Sequence, residues 1–337
     1  MKTLKRTWAD ISLDNLEYNY RSIRAHLPQG TKFLGVMKAD AYGHGAVPVS
    51  RALADLGAEY LAVSNLEEAV QIRRGEVRLP ILILGYTPAE YAANMIFLDI
   101  TQEVHSLEYA RELNEALAGT NYILNVHLKL DTGMTRIGFF AYDNERTLDE
   151  LRQVAQLPHL HIEGAFMHFC VADSRAEADV SFTKLQYKRF MDMLSAMAGV
   201  GIRPEIRHCC NSGATILYPE FALDMVRPGI ITYGNAPSDE LEGALSLRPM
   251  MSLHSMIAQV RTVPAGTDIS YGRLYRTKEE TRVAVLPIGY ADGLSRLLTG
   301  KASFYLQGHQ VPVIGRICMD MCMIDVSNVP EAKPGDV

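Results

Sequence analysis

After an opening segment, short apolar runs recur along the chain. Each is followed by a polar or glycine-bearing turn and then by a stretch whose apolar residues return with helical spacing. Eight such runs, at residues 33–37, 60–64, 80–85, 96–100, 122–130, 162–168, 206–211 and 225–230, read as strands. Segments 103–118 and 182–198 carry the helical period between them. An opening helix over residues 13–27 begins after Ser12, a suitable N-cap. Eight strands alternating with helices over roughly 200–250 residues predict an α/β fold, a closed (β/α)8 barrel. A doubly wound open sheet is the rival, but it would not need so regular an alternation.

Past about Pro237 the pattern changes. The stretches MSLHSMIAQVRTV, TRVAVLPIGYADG, KASFYLQGHQVPVIG and CMDMCMIDVSNV are strand-like, punctuated by Gly, Pro and Asn. They predict a second, mostly β domain, with residues 1–240 forming the barrel and 241–337 the β domain. Residues 7–11 precede the first helix and are candidates to pair with that second domain.

Composition narrows the class. With 48% hydrophobic and 21% charged residues the chain can build full cores, and a net charge of −6 argues against a nucleic-acid surface. No apolar run is long enough to span a bilayer, and MKTLKRTWAD lacks the apolar segment of a signal peptide. The five cysteines include no CxxC pair, which favours neither a disulfide framework nor a metal site. The expectation is a reduced, cytoplasmic enzyme.

In this fold chemistry sits at the C-terminal ends of the strands, with phosphate commonly held by the loops after strands seven and eight. Strand one delivers Lys38 and Tyr42, strand five Lys129, Asp131 and Arg136, and strand six His168. Asn211-Ser212-Gly213 follow strand seven, and Arg227-Pro228-Gly229-Ile230 follow strand eight. A buried strand-end lysine is costly when charged; burial would leave Lys38 a neutral amine able to condense with an aldehyde. A lysine that snorkels to solvent is the ordinary alternative, and NSG is commonly just a turn. Together, a reactive amine and a two-loop phosphate cradle suit pyridoxal 5′-phosphate, which needs both.

Six segments, VMKADAYGHG, KLDTGMTRIGF, MVRPGIITYG, DISYGRLY, GYADGLSR and GRICMDM, stand in the order found in the alanine racemase family, which the chain resembles from about Trp8 to its end. The resemblance implies a pyridoxal-phosphate barrel plus β domain in a head-to-tail homodimer. Lys38 matches the lysine that holds the cofactor, and Tyr42 a tyrosine near its phosphate. Asn211, Ser212, Gly229 and Ile230 match the phosphate cradle, and Arg227 the arginine that meets the pyridine nitrogen. Tyr271 matches the second catalytic base, supplied by the partner subunit, with His168 a candidate link between Tyr271 and Arg227. Arg136 and Met319 match substrate-carboxylate contacts. Lys129 matches a carbamylated lysine paired with Arg136. Asp173, Tyr290, Arg296 and Arg316 match positions around an access corridor. The implied reaction is two-base interconversion of L- and D-alanine, supplying D-alanine for peptidoglycan.

HFCVADS departs from the usual HFATAD-like form and is similar to serine racemases linked to vancomycin resistance, so a serine or dual serine/alanine racemase stands as the alternative. A non-catalytic pyridoxal-phosphate barrel would lack the second domain and Tyr271. A barrel-type decarboxylase would place an acidic residue where Arg227 stands. Family members usually continue past Gly335-Asp336-Val337, so the β domain is expected to be incomplete at its end.

Overall fold

The structure, a computed structural model, describes residues 5–142 and 144–337. These fall into two compact units: Ser12–Met250, and Met251–Val337 together with the described residues up to Ile11.

The chain opens with β1 (Thr7–Ile11). Ser12 then caps helix Leu13–His26, its hydroxyl accepting the Asn15 N–H at 3.1 Å. The larger unit is built on β2 (Lys32–Val36), β3 (Tyr60–Val63), β4 (Ile81–Ile83), β5 (Ile100–Val104), β6 (Leu124–Asp131), β7 (Phe139–Phe140), β8 (Leu160–Phe166), β9 (Ile206–His208) and β10 (Met225–Val226). Eight of these run parallel in the order β10-β2-β3-β4-β5-β6-β8-β9, while the two-residue β7 flanks β6. The ring is drawn together between β9 and β10 by the Asp224 N–H donating to Arg207 O at 3.1 Å and the Arg227 N–H to Cys210 O at 2.9 Å. This is the barrel expected from the alternation.

Several boundaries differ from the expectation: the strands expected at 206–211 and 225–230 end at His208 and Val226, and the larger unit runs to Met250 rather than to residue 240. Residues 96–99 are not a strand: Ala92–Phe97 is helical, and β5 begins only at Ile100, four residues on. The following helix is Leu107–Ala116, so Glu103 and Val104 belong to β5. The cause is composition. Thr101, Gln102 and Glu103 are polar yet buried within β5, whereas the apolar run just before them lies on a helix that covers the sheet.

The same alternation marks β6, NVHLKLD. His127, Lys129 and Asp131 recur at every second position, and Val126, Leu128 and Leu130 take the other face. All six are buried. The interior is thus polar along β5 and β6, whereas Leu34, Val36, Ala62, Leu82, Ile206 and Met225 fill its other side as an apolar cluster.

The smaller unit contains β11 (Met251–Ser255), β12 (Gln259–Val263), β13 (Asp268–Ile269), β14 (Tyr275–Arg276), β15 (Thr281–Leu286), β16 (Ser303–Leu306), β17 (His309–Ile314) and β18 (Cys322–Asp325). Five form an antiparallel sheet in the order β12-β15-β18-β17-β16. β1 pairs antiparallel with β11, Thr7 opposite Ser255, and β13 with β14. Ala284, Leu286, Val311, Val313, Ile324 and Val326 form its core.

Candidate active site

Lys38 follows the end of β2, and the backbone immediately turns left-handed. Ala39, Asp40, Ala41 and Tyr42 have φ of 51°, 52°, 55° and 55°. For L-residues that conformation costs about 1–2 kcal/mol each, so neighbouring bonds must hold it. The Ala41 N–H donates to Met37 O at 2.8 Å, the Ala39 N–H to Glu68 Oε1 at 2.7 Å and the Ala46 N–H to Asp40 Oδ1 at 2.7 Å. The turn places the Lys38 amine 5.9 Å from the centre of the Tyr42 ring. Lys38 itself is exposed in this chain, against the expectation of a buried amine.

Tyr42 packs on Tyr233, ring centres 4.8 Å apart, and fully buried Tyr233 donates its hydroxyl to Val36 O at 2.6 Å. Burial pushes the Tyr42 phenol above its ordinary pKa, so it stays a hydrogen-bond donor. A Cβ at position 229 would lie 2.7 Å from Tyr42 Oη, so glycine there lets the Tyr42 hydroxyl approach the loop, with Ser212 Oγ at an ordinary contact of 3.8 Å. Ser212 Oγ accepts the Gly229 N–H at 2.9 Å, leaving its hydroxyl hydrogen to donate elsewhere. Ile230 opens a 3₁₀ turn, and its N–H has no partner within that turn. Asn211 is already occupied at both ends of its amide: Oδ1 accepts the Ala214 N–H at 3.1 Å and Nδ2 donates to Phe169 O at 3.2 Å. These two bonds fix the loop after β9.

Arg227 is 3% exposed and has no carboxylate partner among the described residues. Nη1 donates to His208 Nδ1 at 2.9 Å, and Nη2 faces Met167 O (2.7 Å), Cys209 O (3.1 Å) and His168 Nδ1 (3.4 Å). Of the five guanidinium hydrogens, the one on Nε and one on Nη1 have no acceptor among the described residues. Burial lowers the group to about 10, still well above neutrality, so it remains a cation with donors to offer.

His168, half-buried, accepts from Arg227 through Nδ1 and therefore carries its proton on Nε2. Burial, then the charges of Arg227, Lys129, Arg136 and Lys38, hold it well below its ordinary pKa and keep it neutral. Arg227, Arg136 and Lys38, with Lys129 when it is protonated, make the barrel mouth a positive well for an anionic ligand. Lys129 is 4% exposed, with one long hydrogen bond, to Leu130 O at 3.3 Å. Burial, followed by the charge of Arg227, lowers its amine to about 7. Arg136 is exposed, and no hydrogen bond joins it to Lys129. Asp173 is half-buried against Gly213, its carbonyl accepting from Ser238 Oγ at 2.7 Å.

The remaining candidates lie in the smaller unit. Ser270, Gly272 and Arg273 have φ of 67°, 74° and 52°, a strained turn that presents Tyr271 with 68% of its surface exposed. Ser270 Oγ anchors this turn by donating to Arg316 O at 2.6 Å. Tyr271 and Met319 line one cleft of about 630 Å³, with Ser270, Cys318, Asp320 and Met321. The Tyr290 N–H donates to Cys318 O at 3.0 Å, and the Arg296 guanidinium lies 6.0 Å from the Tyr290 ring centre. The four positions Tyr271, Tyr290, Arg316 and Met319 thus meet around one loop cluster.

Sequence reasoning passed over His127, His208, Glu163 and Tyr233, all of which touch this machinery or its supports. The available signal was the polar alternation inside β6, which marks an interior face wherever helices cover the other.

Comparison with known proteins gives two family models: alanine racemase, N-terminal domain, over residues 11–237, and alanine racemase, C-terminal domain, over residues 250–337. The alanine racemase of Desulfovibrio desulfuricans is 46% identical over 329 residues, 98% of this chain and 87% of its relative. That of Clostridium tetani is 43% identical, covering 99% and 86%. Among solved structures, the alanine racemase of Clostridium difficile superposes with TM-score 0.93 at 40% identity, covering 99% and 86%. That of Bacillus anthracis with bound L-Ala-P gives 0.90 at 34% identity, covering 100% and 85%. In both halves and at these identities, the chain belongs to the alanine racemase family.

Proposed function

We propose that this protein interconverts L- and D-alanine with pyridoxal 5′-phosphate, by two bases on opposite faces of Cα. The observation that carries the reading is the convergence at one barrel mouth of Lys38, the Tyr42–Ser212–Gly229 cradle and a buried Arg227 with unused donors. The residues present fit this cofactor. The cradle offers two hydroxyls and a backbone N–H to a phosphate, Arg227 offers N–H groups to a ring acceptor, and Lys38 an amine to a carbonyl. When bound, the cofactor supplies an electron-accepting ring that eases loss of the α-proton.

The protein's own residues do the rest. A guanidinium gives its protons up reluctantly, so Arg227 donates to a ring nitrogen without protonating it, which restrains side reactions that need a stronger electron sink. Lys38 exchanges a proton on one face of Cα. Tyr271 of a second subunit does so on the other; neutral His168 has its Nε2–H free to donate to the phenolic oxygen, which favours the deprotonated phenol. Proton transfer in both directions requires a base on each face, and one amine cannot serve both. Arg136 and the Met319 backbone N–H hold the substrate carboxylate; Asp173, Tyr290, Arg296 and Arg316 border its access route. Lys129, with an amine near 7, is nucleophilic at neutral pH and takes up carbon dioxide. The resulting carbamate turns a cation beside Arg136 into an anion that pairs with it. A homodimeric cytoplasmic enzyme supplying D-alanine for peptidoglycan is the setting this chemistry fits.

The relatives named above are alanine racemases, and no observation favours the serine reading. A barrel that merely binds the cofactor leaves the second family model unaccounted for. The test is turnover of each enantiomer of alanine and serine, followed by α-proton exchange in deuterated water. Lys38→Ala is expected to abolish turnover. Tyr271→Phe should lose exchange from L-alanine far more than from D-alanine, and unchanged exchange from L-alanine would remove Tyr271 as a base.

A further inference from the structure

The polar side of the barrel interior carries a continuous line of hydrogen bonds away from the mouth. Arg227 Nη1 meets His208 Nδ1 at 2.9 Å, His208 Nε2 meets His127 Nδ1 at 2.9 Å, and His127 Nε2 meets Glu163 Oε2 at 3.0 Å. Glu163 also receives Tyr60 Oη at 3.1 Å on Oε1 and Thr101 Oγ1 at 3.2 Å on Oε2. Tyr60 is the first residue of β3 and Thr101 the second of β5, so the line ends near the barrel floor.

Every proton in this line is fixed by its neighbour. Arginine is a donor only, so His208 Nδ1 accepts. A neutral His208 then carries its proton on Nε2 and donates to His127 Nδ1. His127 in turn carries its proton on Nε2 and donates to the Glu163 carboxylate. An imidazolium at His127 would point Nδ1–H at His208 Nε2 and force that ring to turn an N–H against Arg227. Both rings are fully buried, so desolvation also favours their neutral forms. Packing fixes the two ring planes. His208 stacks on Phe166, centres 4.9 Å apart at 6°. His127 lies against position 164, where a Cβ would come within 2.5 Å of its ring, so glycine is required.

We propose that Glu163, acting through His127 and His208, is the positioning residue that orients and polarises Arg227 from the far end of the barrel. The carboxylate draws on the His127 N–H, which makes His127 Nδ1 a better acceptor for His208, and His208 Nδ1 a better acceptor for Arg227; chains of this kind strengthen bond by bond. The line is a strut and not a proton wire. Reversing it would deprotonate Arg227, whose pKa of about 10 keeps it charged through the working range. Arg227 is thereby held by an anion it never touches, which leaves the donors on its other edge for a ligand.

The functional consequence rests on the racemase reading; the proton positions do not. In protein labelled with ¹⁵N-histidine, NMR should show His127 and His208 as neutral Nε2–H tautomers, assigned by single substitutions. Glu163→Gln should keep those tautomers but move the His127 Nε2–H proton upfield. Because a charge-assisted bond is roughly twice as strong as a neutral one, kcat should fall about tenfold in both directions with KM within about twofold. Thr101→Val removes a competing donor to the same oxygen and should move that proton downfield. An imidazolium or an Nδ1–H tautomer at either histidine in the wild-type protein would overturn the proposal, whether or not Glu163→Gln folds. So would a Glu163→Gln protein whose only change is a lower Tm. A wild-type protein with these tautomers but no racemisation would overturn the racemase reading while supporting the strut.

Discussion

Lys129 is a buried amine set among cations, and its charge state governs a measurable part of the protein's stability. Burial and then Arg227 lower it from 10.5 to about 7 in the folded chain. The unfolded chain therefore binds more protons than the folded one between about pH 7 and 10.5, and stability rises with pH across that window. Below the window both states are charged and the folded state bears the full desolvation penalty. In carbon-dioxide-free buffer, the wild-type Tm should climb relative to Lys129→Met between pH 7 and 10. Carbamylation removes the titrating amine, so bicarbonate at pH 8 should raise the wild-type Tm and flatten the slope, with no effect on Lys129→Met. Labelled bicarbonate should give a carbamate carbon resonance that Lys129→Ala lacks. Its absence, with an unchanged Tm, would remove the modification from the proposed mechanism.

The turn from Ala39 to Tyr42 shows why secondary elements were only partly legible in the sequence. A turn after Lys38 is readable from Gly43 and Gly45, but nothing in ADAY announces a left-handed run of non-glycine residues. Local propensity opposes it, and bonds from elsewhere impose it, chiefly Glu68 from the helix Leu66–Arg74. Glu68 Oε2 also accepts the Ser64 N–H at 2.8 Å and Ser64 Oγ at 2.9 Å, so one carboxylate ties two strand ends together. Truncation as Glu68→Ala should cost about 1–3 kcal/mol in chemical denaturation, from donors left unpaired. It should also weaken cofactor retention, read as loss of bound pyridoxal phosphate on dialysis; retention equal to wild type would show that the turn holds itself. The strand count was legible because eight apolar runs survive composition noise. The position of β5 was not, because its interior residues Thr101, Gln102 and Glu103 look like surface until the barrel closes around them. The strand-end motifs were readable for the same reason the fold was, since both follow the alternation. The line from Arg227 to Glu163 joins β10, β9, β6 and β8, and no spacing along the chain reveals such contacts.

The two units divide the proposed chemistry between them. Ser12–Met250 carries Lys38, the cradle, Arg227 and His168, whereas Tyr271 and Met319 belong to the unit containing Met251–Val337. Tyr271 stands 68% exposed on a strained turn, an expensive way to hold a phenol that serves nothing. A large exposed aromatic on a rigid turn beside exposed Met319 and Met321 suits the proposal of a surface that another chain would cover. In a head-to-tail homodimer each site would combine the barrel of one subunit with the β unit of its partner. Lys38→Ala and Tyr271→Phe chains, each impaired alone, should then complement. A mixed dimer holds one site with both defects and one with neither, and random exchange of equal amounts makes about half the dimers mixed. Since each mixed dimer has one of its two sites intact, activity should recover to about one quarter of the wild-type value per chain. Differential tagging and tandem purification would confirm exchange. Recovery would vanish if each site were built within a single chain, and full exchange without regained turnover would refute the shared site.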